Sequence, residues 1–294
     1  MKKRVVITGM GTLSSIGNNL ETFWSNLQAG VSGTDTITKF DASDTASQVA
    51  AEVKDFDPTA FIDRKEAKHM DPFVQYAIAA ADMAIVHSKL DLDQIDKTRA
   101  GVIVGSGMGG LQTLEAQHKI LLEKGPKRVS PFFIPMQIIN LAPGQISIRH
   151  GFQGANFSVV TACATGAHAA GEALRWIQRG EMDIMLVGGT EAAITKLAVA
   201  GFANMKALST RNDDPTRASR PFDKDRDGFV IGEGSGILVL ESLEHALARN
   251  AEIYAELIGY ATTGDAYHIT SPDPEGKGVS RCMQNALNDA GIAP

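Results

Sequence analysis

The amino-acid sequence predicts an α/β fold in which a mostly parallel sheet is wrapped by helices. Three observations predict it. Short apolar runs bounded by glycine alternate with longer helical stretches. The apolar runs are near-continuous rather than alternating, as in strands buried on both faces. The 294 residues are 44% hydrophobic and 21% charged, enough for a sizeable core without staples.

The elements follow in chain order. Strand 4–8 is the run Val5-Val-Ile7, ending at Thr8 and Gly9. Helix 72–90 leads through a polar link into the buried strand 101–104, a glycine turn at 105–110 and helix 111–124. Strand 157–161 meets helix 166–179, whose first turns are almost all small residues, and strand 183–187 follows. Residues 212–227 are polar and dense in charges of both signs, the mark of a long loop. Residues 229–234 form a rigid turn into strand 236–240, and helices 243–249 and 278–290 complete the set. Helix 278–290 and its link 291–294 echo helix 72–90 and the link that precedes a strand. The expectation is that the chain stops inside a second copy of its own unit, against the simpler reading of a terminal helix that ends.

Composition excludes several classes. With 28 basic and 34 acidic residues the net charge is -6, which argues against binding nucleic acid by phosphate neutralisation. Two cysteines cannot form a disulfide framework and suit a reducing compartment. Met1-Lys-Lys-Arg4 resembles the charged start of a signal peptide, but the apolar run after it is too short. No stretch reaches the roughly 18 apolar residues of a spanning helix. A soluble protein with no membrane insertion is expected, cytoplasmic or, with a transit peptide removed, in an organellar stroma or matrix.

The most informative stretch is Phe157-Ser-Val-Val-Thr-Ala-Cys163-Ala-Thr-Gly166. A thiol at a strand–helix junction feels the helix N-terminal field, which favours thiolate, and lies beside free N–H groups able to hold an oxyanion. A small cysteine that packs like alanine is the competing reading, and it is stronger for Cys282 in mid-helix. Gly105-Ser-Gly-Met-Gly-Gly110 fits G-x-G-x-x-G after a strand, yet the acid required about 20 residues on is missing from 125–130. A tight turn that lets a helix pack on the sheet fits better than nicotinamide binding. Asp223, Asp225 and Asp227 open like a calcium loop, but position 12 is Gly234. None of the seven histidines has zinc spacing, and His168 is not assigned as a base. Basic residues cluster at 64–68, 124–128 and 206–211, either as solvated faces or as a docking rim for an acidic partner.

Together these stretches resemble the β-ketoacyl-acyl carrier protein synthases, the type II elongating condensing enzymes. The carrying residues are Val5-Val-Ile-Thr-Gly-Met-Gly11, the 105–110 turn, Ser130-Pro-Phe-Phe133, Thr161-Ala-Cys-Ala-Thr-Gly166 and Gly188-Gly-Thr-Glu191. Ala207-Leu-Ser-Thr-Arg-Asn-Asp213, Ser219 to Phe229 and Asp265-Ala-Tyr-His-Ile-Thr-Ser271 extend the likeness along the whole chain. The resemblance implies a thiolase-like layered sandwich, with residues 1–250 as the N-terminal βα half and 251–294 as the beginning of the second half. It implies a homodimer with no cofactor, and Cys163 as the nucleophile that takes an acyl group from acyl carrier protein, with its own N–H in the oxyanion hole. The carbanion released from malonyl-acyl carrier protein then attacks that thioester. Met108, Ala193, Ala198 and Phe202 would line the acyl pocket, with Phe133 reaching it from the other subunit. The family often has glycine where Ala198 stands, so the extra methyl is expected to narrow the pocket. Phe229, Thr270 and Ser271 would border the phosphopantetheine channel, and Lys65, Lys68, Lys127, Arg128 and Lys206 would meet the carrier protein.

The family's two decarboxylating histidines and a lysine lie in its second half, and no Asn-Ala-His-Gly turn occurs in these 294 residues. The expectation is that this segment alone does not condense. A non-condensing chain-length-factor-like partner of the same fold is the alternative, though such partners lack the nucleophile. A nicotinamide oxidoreductase built on 105–110 is the third reading.

Overall fold

The computed structural model describes residues 2–294. In chain order the elements are β1 (Val5–Leu13), α1 (Leu20–Gln28), β2 (Asp35–Thr36), β3 (Val49–Ala51), α2 (Arg64–Ala67), α3 (Pro72–Ser88), β4 (Ala100–Gly105) and α4 (Leu111–Lys124). Then follow α5 (Phe133–Gln137), α6 (Leu141–His150), β5 (Asn156–Phe157), α7 (Thr165–Gln178), β6 (Ile184–Glu191) and α8 (Lys196–Asn204). The last are β7 (Ile231–Gly232), β8 (Gly234–Ser242), α9 (Leu243–Ala248), β9 (Ala255–Glu256) and α10 (Lys277–Ala290). The polar stretch 212–227 is a loop broken only by a single 3-10 turn at Pro215–Arg217. No helix among the described residues is long and apolar enough to cross a membrane.

The main sheet has the order β5-β4-β6-β8-β1-β9. β4 runs parallel to β5 and β6, but β8 is antiparallel to both β6 and β1, and β9 is antiparallel to β1. The expected mostly parallel sheet is therefore corrected to a mixed one. Apolar runs record burial on both faces, which is the same for either strand direction. A second, small sheet joins β2, β3 and β7.

Helices cover both faces of the main sheet. Val102, Val104, Ile184, Leu186, Ile237 and Val239 point to one face, where they pack on Phe73, Ala77, Ala80 and Ala84 of α3 and Ile146 of α6. Ile103, Met185, Val187 and Leu240 point to the other and meet Ala169, Ala173, Leu174 and Ile177 of α7. The two-residue period of each strand thus feeds two cores, and each fully buried aliphatic side chain contributes about 1.5–3 kcal/mol.

Two strand boundaries differ from expectation. β1 continues through Gly9 and Gly11 to Leu13, because α3 lies directly on those glycines. A Cβ at Gly11 would run into the Ala80 carbonyl and sit 2.7 Å from the Ala84 nitrogen. The glycines are there for close helix packing and do not end the strand. Conversely, the strand expected at 157–161 pairs only at Asn156–Phe157. Beyond it the Thr161 N–H turns to the Thr165 hydroxyl at 2.8 Å, so the backbone leaves the sheet to form the turn before α7.

Candidate active site

Cys163 sits in a single 3-10 turn, Ala162–Ala164, between the end of β5 and the start of α7. Its thiol is exposed. Ala162 has φ +50°, a left-handed conformation that costs a residue with a Cβ about 1–2 kcal/mol. The kink is held on both sides. Ala164 N–H donates to the Thr161 carbonyl at 3.1 Å, Thr165 N–H to the Ala162 carbonyl, and His168 Nδ1 lies 2.6 Å from the Thr161 hydroxyl. His168 therefore supports the turn through Thr161. The Cys163 N–H donates to no acceptor among the described residues. The small residues read from the sequence have a structural reason. A Cβ on Gly105 would strike Thr165 Cγ2 and the Val159 carbonyl, and Gly166 lies against the backbone of Gly189.

Four of the residues expected to line an acyl pocket come together. Met108, Ala193, Ala198 and Phe202 belong to one apolar cluster with Leu111, Ile194, Val199, Leu208 and Ile231. Phe229 joins its edge, with its ring 5.3 Å from that of Phe202 at 79°. Phe133 lies elsewhere in the same chain. It lines an apolar cavity of about 370 Å³ with Leu114, Gln117, His118, Leu121, Val129 and Leu197. Thr270 and Ser271 are in an exposed segment where both N–H groups donate to His268 Nδ1 at 3.1 Å. No hydrogen bond among the described residues ties them to Cys163 or to the Met108 cluster.

The basic residues are exposed. Lys65 and Lys68 lie on and just after α2, Lys127 and Arg128 on the 3-10 turn Pro126–Arg128, and Lys206 just past α8 with φ +57°. Among the described residues none of the five has a carboxylate within ion-pair distance. The His69 and Phe132 rings stack at 3.9 Å and so fasten the segment after α2 to the segment after the 126–128 turn.

The glycine turn at 105–110 is occupied by the protein itself. Gly107 N–H donates to Glu191 Oε2 at 2.6 Å, and the Ser106 hydroxyl to Glu191 Oε1 at 2.8 Å. A carboxylate fills the place a dinucleotide phosphate would take, so the turn reading replaces the nicotinamide one. Burial pushes the Glu191 carboxyl up, and these hydrogen bonds partly offset the shift. The sequence reading gave Glu191 no role. The signal was an acid closing an otherwise apolar strand. Asp71 was missed in the same way. It caps α3 at Phe73 N–H and accepts from Thr113 N–H at 2.9 Å and Thr113 Oγ1 at 2.7 Å, and its carboxyl too is pushed up by burial. The acids of the calcium-like run serve the loop instead, since Asp223 accepts from Asp225 N–H and Asp227 from Ser209 and Thr210.

Comparison with known proteins agrees with this geometry. The profile described as "Beta-ketoacyl synthase, N-terminal domain" matches residues 2–246, and "Beta-ketoacyl synthase, C-terminal domain" matches 254–294. The chain is 56% identical over 293 residues to a "3-oxoacyl-[acyl-carrier-protein] synthase 2" of Synechocystis sp., and covers 100% of itself and 70% of that protein. Among solved structures, "The ishigamide ketosynthase/chain length factor" superposes with TM-score 0.91 at 38% identity, over 100% of this chain and 71% of the other. A type II polyketide ketosynthase, solved in complex with its acyl-carrier protein and bound to the hexaketide, superposes with TM-score 0.88 at 32% identity, over 100% of this chain and 71% of that one. With the exposed cysteine turn, the apolar cluster beside it and these likenesses in hand, the chain belongs to the β-ketoacyl synthase family and has its thiolase-like fold.

Proposed function

We propose that this protein elongates fatty acyl chains by decarboxylative condensation, with Cys163 as the nucleophile that carries the growing chain. The observation that carries the reading is the Cys163 turn: an exposed thiol after a left-handed Ala162, beside an N–H with no protein acceptor. In the transfer step the Cys163 thiolate attacks the thioester carbonyl of acyl carrier protein. The Cys163 N–H stabilises the oxyanion, and collapse expels the carrier thiolate and leaves an acyl-cysteine. In the second step the malonyl thioester loses carbon dioxide. Its carbanion attacks the acyl-cysteine carbonyl, releasing Cys163 thiolate and a β-ketoacyl carrier.

Met108, Ala193, Ala198 and Phe202 take the acyl chain, as their common apolar cluster supports. Phe133, from the facing subunit of a homodimer, closes the far end, and Phe229, Thr270 and Ser271 border the pantetheine arm. Lys65, Lys68, Lys127, Arg128 and Lys206 receive the acidic carrier, which their unpaired charges support. Residues 1–250 and 251–294 belong to successive halves of the fold, in a cytoplasmic protein.

The test is transfer to the protein from octanoyl-loaded carrier protein, followed by intact mass and peptide mapping. A single acyl adduct on Cys163, lost in Cys163→Ser and absent from Cys282, is expected. An adduct on Cys282, or none on either residue, overturns the assignment. The same experiment opposes the chain-length-factor reading, in which no acyl-enzyme forms. A polypeptide of these 294 residues, lacking an Asn-Ala-His-Gly turn, is expected to release no carbon dioxide from the malonyl carrier.

A further inference from the structure

We infer that Glu191 is a positioning residue that locks the Ser106–Met108 turn and thereby sets how long an acyl chain the apolar cluster around Met108 admits. The inference rests on the proposed role of the Met108 cluster as the acyl pocket and adds to it a residue outside that pocket.

Glu191 ends β6, and its carboxylate receives three donors from one turn of chain. These are the Ser106 hydroxyl at 2.8 Å, Gly107 N–H at 2.6 Å and Met108 N–H at 3.4 Å. Among the described residues no cation lies within ion-pair distance of it, so a partly buried carboxylate is held by that turn and by little else. An acceptor-only group satisfies all three donors, whereas a neutral amide would satisfy some through its oxygen and set its own N–H against another. The Ser106 hydroxyl in turn accepts from Gly109 N–H at 2.9 Å, and Gly109 has φ +68°, so the turn is closed on itself as well as on Glu191.

Neighbouring bonds make the lock rigid. Gln112 Nε2 donates to the Ala192 carbonyl at 3.2 Å, Gly110 N–H to the Gln137 carbonyl at 3.0 Å, and the Thr190 hydroxyl to the Phe73 carbonyl at 2.6 Å. Asp71 holds Thr113 on the first turn of α4 from the other side.

The turn faces both halves of the site. Met108 packs in the apolar cluster with Ala198 and Phe202. The place a Cβ would occupy on Gly107 is 2.8 Å from Glu191 Oε2 and 3.9 Å from Ala162 Cα, the residue before the nucleophile. The open side of Gly107 therefore faces both the carboxylate and the Cys163 turn. Releasing the carboxylate frees Met108 to shift within that cluster while Cys163 stays exposed.

The experiment uses alkylation of Cys163 by N-alkyl iodoacetamides from ethyl to dodecyl, followed by mass mapping, with amide hydrogen exchange over residues 105–112. These readouts do not depend on condensation. In Glu191→Ala the ratio of dodecyl to ethyl labelling is expected to fall at least tenfold. Ethyl labelling should stay within threefold, and the Gly107 and Met108 amides should exchange at least tenfold faster. Glu191→Gln is expected to restore part of the ratio. Ser106→Ala, which removes one donor and keeps the carboxylate, is expected to lower the ratio about threefold and decides the matter should Glu191→Ala fail to fold. An unchanged ratio and unchanged exchange in the folded variants overturn the inference. Labelling by the parent protein that does not vary with probe length overturns the acyl-pocket reading instead, while the exchange data still judge the lock.

Discussion

Arg175 on α7 and Asp289 on α10 form an ion pair at 2.7 Å that joins the far end of the nucleophile's helix to the last helix of the chain. The same guanidinium donates to the Tyr260 carbonyl at 2.9 Å, and Tyr260 N–H donates to Asp289 Oδ2 at 3.0 Å, so three segments share two side chains. Arg175 and the backbone of Tyr260 hold the Asp289 carboxyl down at about 2 against a modest upward push from burial. The contact persists well below neutral pH and is lost as pH falls toward that value. Arg175→Ala is expected to cost about 2 kcal/mol and to free the segment around α10, read as faster limited proteolysis within residues 261–276 with the rest of the chain intact.

The Tyr260 ring stands directly over Gly171, where an added Cβ would overlap ring atoms. Gly171→Ala is expected to lower stability by about 1–3 kcal/mol through overpacking. A thermal melt checks it. Combining it with Tyr260→Ala should recover part of the loss, which a merely helical effect of the substitution would not.

Glu241 governs the acid limb of stability. Burial pushes its carboxyl up, but hydrogen bonds from His245, Arg249 and Thr8 and the Arg249 charge overcome this and bring it to about 2. Its Oε1 is 2.5 Å from Arg249 Nη2, and its Oε2 is 2.5 Å from His245 Nδ1. A pKa held below the usual carboxylate value adds stability above about pH 4.5, of order 3 kcal/mol, which disappears as pH falls to about 2. Glu241→Gln is expected to destabilise the protein at pH 7 and to flatten the unfolding free energy between pH 4.5 and 2, measured by urea titration.

Ala198 lies on the first turn of α8 and is 7% exposed within the apolar cluster. If that cluster takes the acyl chain as proposed, removing the methyl in Ala198→Gly should make room for a longer one, at a cost of about 1 kcal/mol in helix propensity. The expected result is a severalfold rise in transfer from dodecanoyl carrier relative to hexanoyl carrier, compared in one competition assay.

Reversing charge at Lys65 and Lys127 should slow carrier association about tenfold at low salt, because exposed charges act mainly on encounter. The difference should shrink at 0.5 M salt, where screening acts over only a few ångströms. Stopped-flow association at two ionic strengths tests this.

Sequence legibility followed physical cause. Strands β4, β6 and β8 announce themselves because both faces are buried, and helix α4 was expected at 111–124, the range observed. Helix α1 had a legible signal that the strand-and-glycine pattern overshadowed: Leu20, Phe23, Trp24 and Leu27 repeat at helical spacing after the Asn19 cap, yet the stripe stays largely exposed, with Trp24 at 58%. Short α6 and α8 lie in runs whose apolar residues suit a helix or a strand equally. Strand direction is absent from composition altogether, which is why the sheet was expected to be parallel. Cys163 stands out by its chemistry at a strand–helix junction, while Met108 and Phe202 are named only by family likeness. For Glu191 the sequence offers only an acid at the end of an apolar strand, because the three donors it accepts from sit on a turn more than 80 residues away.

The pairing of Val5 with Ser242 and of Val6 with Glu256 puts β1 between two strands that are made more than 200 residues after it. At synthesis rates of about 5–20 residues per second, β1 waits on the order of ten seconds to a minute for its neighbours. During that interval one face of β1 can lie against α3, with α1 beside it. Gly9 and Gly11, which let α3 settle flush on β1, therefore act first as a shield for a nascent strand. Widening them is expected to increase aggregation during synthesis more than it lowers the stability of the finished protein.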